Sequence, residues 1–232
     1  MSDDVEIWHG DSRVLAQNVK GPINCICTDP PYGMAHMSGS AQTAAGKKYV
    51  RAIQNDEGLD GAIVTFLDAM EPLVAVTADE ADMYVFTRWN MIGDWINVVN
   101  QLEPFEVKNV LVWDKGTPGM GDIDANWAFS WEAIIYAKKG RRPIPERRSS
   151  IITVERTPHQ HMIHPTQKPV TLIEILLRMS TQKGDLVVDP FSGSGATAVA
   201  AMNLGRRAIG IEMDEFYIEP SRLRLKQGVF DL

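Results

Sequence analysis

A glycine turn between an apolar strand and a helix constrains the fold of this chain more than any other feature. The apolar residues 186–188 are followed by the turn 189–195 (DPFSGSG) and then by Ala196 to Leu204, which favour a helix ending at Gly205. Glycine at positions 193 and 195 lets backbone N–H groups approach a bound group closely at the positive N-terminus of this helix. The stretch therefore predicts an α/β fold with a ligand-binding turn.

An acidic residue follows this turn at a spacing typical of nucleotide-binding folds. The short strand Ala208 to Ile211 leads into Glu212, roughly twenty residues past the turn, where such folds place the acid that binds a ribose. The turn lacks a third glycine and the sequence GK[ST], which disfavours a dinucleotide or a nucleoside triphosphate. An adenosine without a pyrophosphate fits better. The alternative is a tight turn in an α/β domain, with Glu212 as a solvated strand end.

A second apolar strand runs into a proline-rich segment. Ile23 to Thr28 predict the strand, and Asp29, Pro30, Pro31 and Tyr32 follow it as a segment that we call the hook. Its prolines fix φ and remove backbone donors, so it cannot continue a central strand. At the carboxyl end of the strand, where open α/β sheets bind ligands, Asp29 and the Pro30 carbonyl could accept both hydrogens of an exocyclic amine while Tyr32 stacks on the ring. The alternative is a proline-rich loop without a ligand.

Composition limits the class of protein. The chain has 232 residues, of which 44% are hydrophobic, enough for one well-cored domain or one domain with insertions. No apolar run approaches a membrane span and the segment Met1 to Asp4 is acidic rather than signal-like, so we expect a cytoplasmic protein. Cys25 and Cys27 would share one face of a strand, which favours buried thiols over a disulfide. No further Cys or His stands at ligand spacing, which disfavours a metal site.

The charge distribution bears on nucleic-acid binding. A net charge of −7 argues against a nonspecific coat on nucleic acid but leaves room for a local basic face. Two basic clusters interrupt the acidic chain, and we call the longer one, residues 138–148, the basic segment. Such runs are usually solvated surface, but together they predict a confined polyanion-binding face. The predicted contacts are Lys47, Lys48, Arg51, Lys138, Lys139, Arg141, Arg142, Arg147 and Arg148.

Hydrophobic periodicity predicts the remaining elements. Strands are predicted at 5–8, 83–87, 107–113 and 133–137, a short hairpin around 151–154, and helices at 61–76, 91–102 and 170–180. Residues 34–55 are rich in Gly, Ser, Ala and Gln and predict a long mobile loop. Residues 115–126 predict a second loop, which could be a substrate lid or a long turn.

Two segments leave a structural and a functional interpretation open. Pro169 suits the first turn of the helix 170–180, so Thr166 and Lys168 could be only an N-terminal cap and a surface charge. If this segment lines the ligand cleft, they could instead hold a carboxylate. Asp11, after the first strand, could likewise be only the N-cap of a short helix.

The motifs together resemble a known family. The hook, the segment 164–169 (HPTQKP), the turn 189–195 and Glu212 resemble the permuted, β-type DNA amino-methyltransferases, from Asp11 to about Lys226. The segments 112–116 (VWDKG) and 131–134 (WEAI) are also similar to family segments. The resemblance implies one catalytic domain, residues 1–232, with a Rossmann-like α/β fold, a mixed and mostly parallel sheet and a circularly permuted motif order.

The resemblance also implies roles for individual residues. S-adenosylmethionine would be the cofactor, with Glu212 on its ribose hydroxyls and Asp11 near its adenine. Its methionine end would lie among His164, Thr166 and Lys168. The hook, Asp29, Pro30, Pro31 and Tyr32, would bind the target base. The remaining cofactor-binding residues would be Asp189, Phe191, Ser192, Gly193 and Gly195.

The implied reaction is site-specific, direct methyl transfer to N6 of adenine in double-stranded DNA after base flipping, as in restriction–modification. Asp29 favours adenine because family members acting on cytosine N4 more often carry serine there. Cytosine N4, an RNA or protein amide acceptor, and a noncatalytic nucleic-acid-binding module with a degenerate cofactor fold remain alternatives. Relatives often dimerise, so a homodimer is compatible with the resemblance. Neither a metal nor a membrane is expected.

The target-recognition region is shorter than in many relatives. Only about two dozen residues separate the strand ending near Ala137 from His164. Residues 34–55 and 138–163 are therefore predicted to be DNA-contacting loops or a reduced recognition insert. The loop 115–126 or a second subunit could also complete recognition.

Overall fold

An eight-stranded sheet lies at the centre of the structure. The computed structural model describes residues 4–32, 58–117, 124–125, 127–157 and 167–227, and the sheet is built from these. Its strands are β1 (Val5–His9), β2 (Ile23–Thr28), β3 (Thr77–Thr87), β4 (Glu106–Asp114), β5 (Trp131–Lys139), β6 (Ile151–Thr153), β7 (Leu186–Asp189) and β8 (Arg207–Glu212). They lie in the order β1-β8-β7-β2-β3-β5-β4-β6, and all neighbouring pairs are parallel except β5 with β3 and β5 with β4. The predicted α/β class with a mixed, mostly parallel sheet is confirmed.

Helices cover both faces of this sheet. They are α1 (Ser12–Leu15), α2 (Leu59–Ala75), α3 (Ile92–Val99), α4 (Val170–Ser180), α5 (Ala196–Asn203) and α6 (Glu215–Gln227). On one face α2 and α3 bury Phe66 and Trp95, and on the other α4 and α5 bury Leu172, Leu176 and Ala200. Fully burying a leucine or phenylalanine stabilises a fold by about 1.5–3 kcal/mol, so the helix layers on both faces stabilise the sheet. None of the described helices combines the length and apolar composition that crossing a membrane requires.

The central strands β2 and β7 are apolar because helices cover them on both sides. Parallel strands in such a position lose the alternation of polar and apolar residues. Cys25 and Cys27 pack on the face covered by α4 and α5, and both are buried and unbridged. Burial raises the pKa of both thiols, which keeps them protonated and unreactive. The predicted buried thiols are confirmed.

Two predicted strands differ from the structure. β3 begins at Thr77 rather than Met83, because its polar first residues pair with the start of β2 although they lie outside the apolar core. The predicted hairpin around Ile151 to Val154 is wrong. Residues 151–153 form β6, which pairs in parallel with β4 at one edge of the sheet. A strand this short carries too little pattern to identify its partner.

Two helices also differ from the prediction. α3 ends at Val99 rather than Leu102, and residues 100–102 continue as turns whose amides bond to carbonyls of the helix. α6 was not predicted, because Pro220 and its mixed polar composition hide any amphipathic period.

The topology brings distant motifs to one edge of the sheet. The carboxyl ends of β2, β3, β4, β7 and β8 meet there, and the antiparallel β5 begins there. The hook follows β2, the glycine turn follows β7, and Glu212 ends β8. This is the edge at which open α/β sheets bind ligands.

Candidate active site

A cavity of about 420 Å³ opens at the carboxyl edge of the sheet. This size lies within the roughly 300–1,000 Å³ of small-molecule sites. The hook, the glycine turn and Glu212 line it, together with the end of β4 and the start of β5. All four predicted catalytic residues share this cavity with the described cofactor-binding candidates other than Gly195.

The hook presents a carboxylate whose two oxygens already have donors. The Tyr32 hydroxyl donates to Asp29 Oδ1, and Lys168 Nζ donates to Asp29 Oδ2 at 2.6 Å. Trp95 contacts the Tyr32 ring edge-on, with centroids 6.4 Å apart, and so fixes its orientation. Burial raises the pKa of Asp29, an effect that the charge of Lys168 opposes and that of Glu132 reinforces. A substrate amine that reaches Asp29 must therefore share or replace one of these donors.

Lys168 belongs to a row of four charged residues, Asp29, Lys168, Glu132 and Lys115, which we call the ion-pair chain. Lys168 Nζ lies 2.6 Å from Asp29 Oδ2 and 3.2 Å from Glu132 Oε2, and Lys115 Nζ pairs with Glu132 Oε1. Burial would raise the pKa of Glu132, but the charges of Lys168 and Lys115 outweigh it and hold this pKa at about 2. Burial would lower the pKa of Lys168, but Asp29 and Glu132 raise it above its usual value. Lys168 and Glu132 therefore stay charged at neutral pH.

The ion-pair chain decides between the two interpretations of Lys168. Lys168 is buried in the cavity and binds two side-chain carboxylates, so it is not a surface charge. Its predicted place at the methionine end of the cofactor stays a prediction. Glu132 and Lys115 were missed as site residues. A signal was present in the sequence. Lys115 directly follows the apolar strand β4 and Glu132 lies at the start of β5, in the two segments that resemble the family.

The glycine turn binds the carboxylate of Glu212. Gly193 has φ 51° and its N–H donates to Glu212 Oε2 at 2.7 Å, while Glu212 Oε1 accepts from the Asp214 N–H at 2.7 Å. Gly195 has φ 74° and caps α5, but it does not line the cavity. This glycine supplies the left-handed backbone that the turn requires, and its predicted contact with the cofactor stays a prediction.

Two carboxyl groups beside the turn have raised pKa values. Burial raises the pKa of Glu212 to about 7, although the backbone donors of Asp214 and Gly193 oppose the rise. Burial also raises the pKa of Asp189 to about 6, although its Oδ1 accepts from the Thr28 hydroxyl at 2.8 Å. Raised carboxyl pKa values in a cavity are typical of functional sites.

One buried polar atom in the turn has its hydrogen-bonding capacity unused. The Ser192 hydroxyl oxygen is buried and has no hydrogen-bond partner among the described residues. The Oγ is sealed from solvent and lies against Gly210 in β8, so it packs inside the turn rather than facing a ligand. The remaining acceptor sites of the Glu212 carboxylate fit a ligand that carries hydroxyl groups.

Asp11 caps a helix and also lines the cavity. Its Oδ1 accepts from the Arg13 N–H at 2.9 Å at the start of α1, and its Oδ2 pairs with the Arg13 guanidinium at 2.6 Å. The N-cap interpretation is confirmed. The predicted proximity to an adenine stays a prediction.

The basic segment begins at the edge of the sheet opposite the cavity. Lys138 Nζ pairs with the buried Asp82 at 3.0 Å, and Lys139 Nζ donates to the Thr77 carbonyl at 3.2 Å. Thr77 begins β3 and Asp82 stands at its midpoint, whereas the cavity lies beyond the end of this strand. At about 3.3 Å per residue along a strand, the two edges are roughly 20 Å apart. This placement disfavours the predicted DNA contacts of Lys138 and Lys139.

Arg142 also has internal partners, which leads to a prediction. It donates to the Ser180 carbonyl and to Asp185 Oδ2, both at 2.7 Å. Arg142→Ala should lower the free energy of unfolding by about 1–3 kcal/mol, because Asp185 loses a charged donor. It should leave the salt dependence of DNA binding unchanged. Denaturant unfolding tests the loss of stability, and DNA titrations at several salt concentrations test the salt dependence. Arg141→Ala is the control, because Arg141 is exposed and its replacement should change the free energy of unfolding by less than about 0.5 kcal/mol. A flatter salt dependence would restore the predicted DNA contact.

The positions of several residues in the structure do not test their predicted contacts with DNA or cofactor. Arg141, Arg147 and Arg148 are exposed, and their DNA contacts stay predictions. The following lie outside the described residues: Lys47, Lys48, Arg51, His164 and Thr166, the loop 34–55, residues 158–163 of the predicted insert, and most of the second loop.

Comparison with known proteins decides the family. A family model described as DNA methylase, of the N6 and N4 methyltransferases, matches residues 23–222. The chain belongs to this family. The putative methylase YubD of Escherichia coli (strain K12) is 31% identical over 214 residues, 92% of this chain and 86% of the relative. The Type II methyltransferase M2.DpnII of Streptococcus pneumoniae is 30% identical over 148 residues, 56% of this chain and 55% of the relative.

Solved structures share the fold of this methylase. The crystal structure of an M1.HpyAVI–SAM complex has a TM-score of 0.71 at 24% identity, covering 95% of this chain and 98% of that chain. The PvuII DNA methyltransferase (cytosine-N4-specific) has a TM-score of 0.72 at 16% identity, covering 97% and 87%. The predicted family and Rossmann-like fold are thus confirmed. As a member of this family, the methylase uses S-adenosylmethionine, as the motifs predicted. Among its described residues, no group of three or more His, Cys, Asp or Glu could hold a metal ion.

Proposed function

We propose that this methylase transfers the methyl group of S-adenosylmethionine to N6 of adenine in double-stranded DNA. The observation that carries the proposal is the hook at the carboxyl end of β2, with Asp29 as its first residue and Tyr32 beside it in the cavity. An acidic residue at this position favours adenine over cytosine within the family.

The residues of the glycine turn fit the nucleoside part of the cofactor. Glu212 would accept the ribose hydroxyls, and Ser192, which lines the cavity, would contact the same nucleoside. Asp11 and Phe191, which also line the cavity, would lie near the adenine ring. When bound, S-adenosylmethionine supplies an activated methyl group whose transfer to an amine breaks the S–C bond, leaves the bonding pair on sulfur and frees one proton.

The hook would orient the amine of the target base. Asp29 and the Pro30 carbonyl would accept its two hydrogens, which raises the electron density on nitrogen, and Asp29 can take up the proton that is freed. Tyr32 would stack on the ring. Alignment of this kind can lower the free-energy barrier of a reaction by on the order of 7–11 kcal/mol, so no covalent nucleophile is required. Because a base inside a duplex cannot reach the cavity, the adenine would be flipped out at a cost of about a few kcal/mol.

Product analysis tests the acceptor. The methylase is incubated with methyl-labelled S-adenosylmethionine and unmodified duplex DNA, the DNA is digested, and the labelled nucleoside is identified. N6-methyladenine is the expected product. N4-methylcytosine would contradict the adenine assignment, and it is the specific alternative, because the PvuII enzyme of the same fold is cytosine-N4-specific. Cofactor binding without transfer to any polynucleotide would instead favour a noncatalytic nucleic-acid-binding module.

Cofactor binding should depend on the protonation of Glu212. Its pKa is about 7 in the free protein, with the carboxyl groups of Asp189 and Asp214 nearby. The ionised form accepts hydroxyl donors better, so affinity should rise by about tenfold between pH 6 and pH 8 as the ionised fraction rises. Calorimetric titration with S-adenosylmethionine at a series of pH values measures this rise.

Glu212→Gln is the matched control for that pH dependence. It should bind the cofactor about tenfold to a hundredfold more weakly, because hydrogen bonds to a charged group are lost. Its affinity should vary little over the same pH range. A rise equal to that of the unaltered protein would attribute the pH dependence to another group, such as Asp189, whose pKa is about 6.

A further inference from the structure

Four large exposed aromatic side chains lie on the segments that follow β3 and lead into β5. Trp89 follows β3, Trp127 and Phe129 precede β5, and Trp131 begins it. Their exposed fractions are 53%, 92%, 40% and 39% in that order. We call these residues the aromatic rim. Three of them line the cavity, and Trp127 is two residues from Phe129 in the chain. Grouped exposed aromatic surface of this size indicates a binding surface, because single exposed residues are the usual pattern.

The rim is built from two segments that support each other. The rings of Trp89 and Phe129 lie nearly parallel, at 19°, with centroids 6.5 Å apart. Arg156 donates to the Phe129 carbonyl at 3.0 Å, which brings a guanidinium to the rim, and Arg88 lines the same cavity. Flat aromatic faces beside cationic groups are the combination that binds unpaired nucleic acid, because bases stack and phosphates pair with the cations.

The ion-pair chain deeper in the cavity does not oppose a polyanion. The carboxylates of Asp29 and Glu132 are matched by the ammonium groups of Lys168 and Lys115. The ion-pair chain therefore carries no net negative charge towards DNA at the mouth when all four groups are ionised.

We propose that the aromatic rim is the surface on which the DNA bases beside the flipped adenine stack. This inference rests on the proposed function, because base flipping is what leaves neighbouring bases without their stacking partner. Stacking on the rim compensates for that loss. Because every base has a flat face, the rim contributes affinity without contributing sequence specificity.

Binding of fluorescein-labelled oligonucleotides, followed by anisotropy with S-adenosylmethionine present, tests the rim. Trp89→Ala and Phe129→Ala should each weaken the binding of single-stranded and duplex DNA by about fivefold to a hundredfold. The slope of affinity against salt should not change, because no charge is removed. Trp89→Phe, which keeps a stacking face, should bind within about threefold of the unaltered protein. Trp127→Ala, at the most exposed side chain of the rim, should also weaken binding.

Leu223→Ala is the matched control, because Leu223 is exposed on α6 and does not line the cavity, and this variant should bind DNA with unchanged affinity. Unchanged DNA affinity in the Trp89, Phe129 and Trp127 variants would overturn the inference, even if the unaltered protein methylates adenine. The inference would also be overturned if the variants lost cofactor affinity as strongly as DNA affinity, or if their melting temperatures fell markedly, because the rim would then stabilise the fold. The labelled-nucleoside assay on the unaltered protein judges the proposed function separately.

Discussion

Replacing Asp29 with alanine should slow methyl transfer to DNA by a factor on the order of 10³ or more, while S-adenosylmethionine still binds. Removing one well-placed polar group from a reaction centre typically slows a reaction by about 10²–10⁴. Asp29 would both orient the amine and accept a proton, so its loss should fall at the upper part of that range. Single-turnover transfer of label to DNA measures the rate, and calorimetric titration measures the cofactor affinity.

The ion-pair chain explains why this variant should remain folded. Without Asp29, Lys168 keeps its contact with Glu132 at 3.2 Å, so no buried charge loses its last partner. Asp29→Asn is the matched control, since it keeps the shape and one oxygen acceptor but removes the charge. Its rate of methyl transfer should lie between those of Asp29→Ala and the unaltered protein. Retained transfer in Asp29→Ala would remove the hook from the reaction, and a parallel loss of cofactor binding would turn its role into a structural one.

The members of the site that directly follow apolar strands could be predicted from the sequence. Asp29 follows β2, Asp189 ends β7 and Glu212 ends β8, and the carboxyl ends of parallel strands meet at one edge. A strand ending in a carboxylate or a turn is a local pattern. The meeting of these ends follows from the parallel arrangement alone, so neither step required the tertiary structure.

Glu132, the carboxylate that shares Lys168 with Asp29, could not be predicted as a site residue, because its position depends on the direction of one strand. β5 runs antiparallel to β3, which places Glu132 at the cavity and Lys138 at the opposite edge. With β5 parallel, these two positions would be exchanged and the basic segment would follow the strand into the cavity. The apolar residues of β5 fit either direction, so the sequence favoured the basic segment as a DNA-binding face and left Glu132 without a role.

Lys168→Met should lower the free energy of unfolding by about 3–5 kcal/mol, because it leaves the carboxylates of Asp29 and Glu132 buried together with only Lys115 to compensate. It should also slow methyl transfer at neutral pH. Burial already raises the pKa of Asp29, and removal of the Lys168 charge raises it further, so less of Asp29 is ionised. Since transfer would require the ionised form, the remaining activity should increase as the pH rises. Lys168→Arg, which keeps the charge, should retain more of both stability and activity.

The double variant Lys168→Met/Glu132→Gln distinguishes a coupled ion-pair chain from independent contacts. Removing one cation and one carboxylate together leaves Asp29 and Lys115 as the charges of the chain, so the second substitution should offset part of the destabilisation caused by the first. A double-mutant cycle should give a coupling free energy of about 0.5–3 kcal/mol. The pKa of Glu132 is held at about 2, below its usual 4.5, so its contribution to stability is present above pH 4.5 and is lost as the pH falls through about 2. Glu132→Gln should therefore lose less stability than the unaltered protein over that acid range. Additive single effects, with an unchanged acid response in Glu132→Gln, would mean that Glu132 does not act on Asp29 through Lys168.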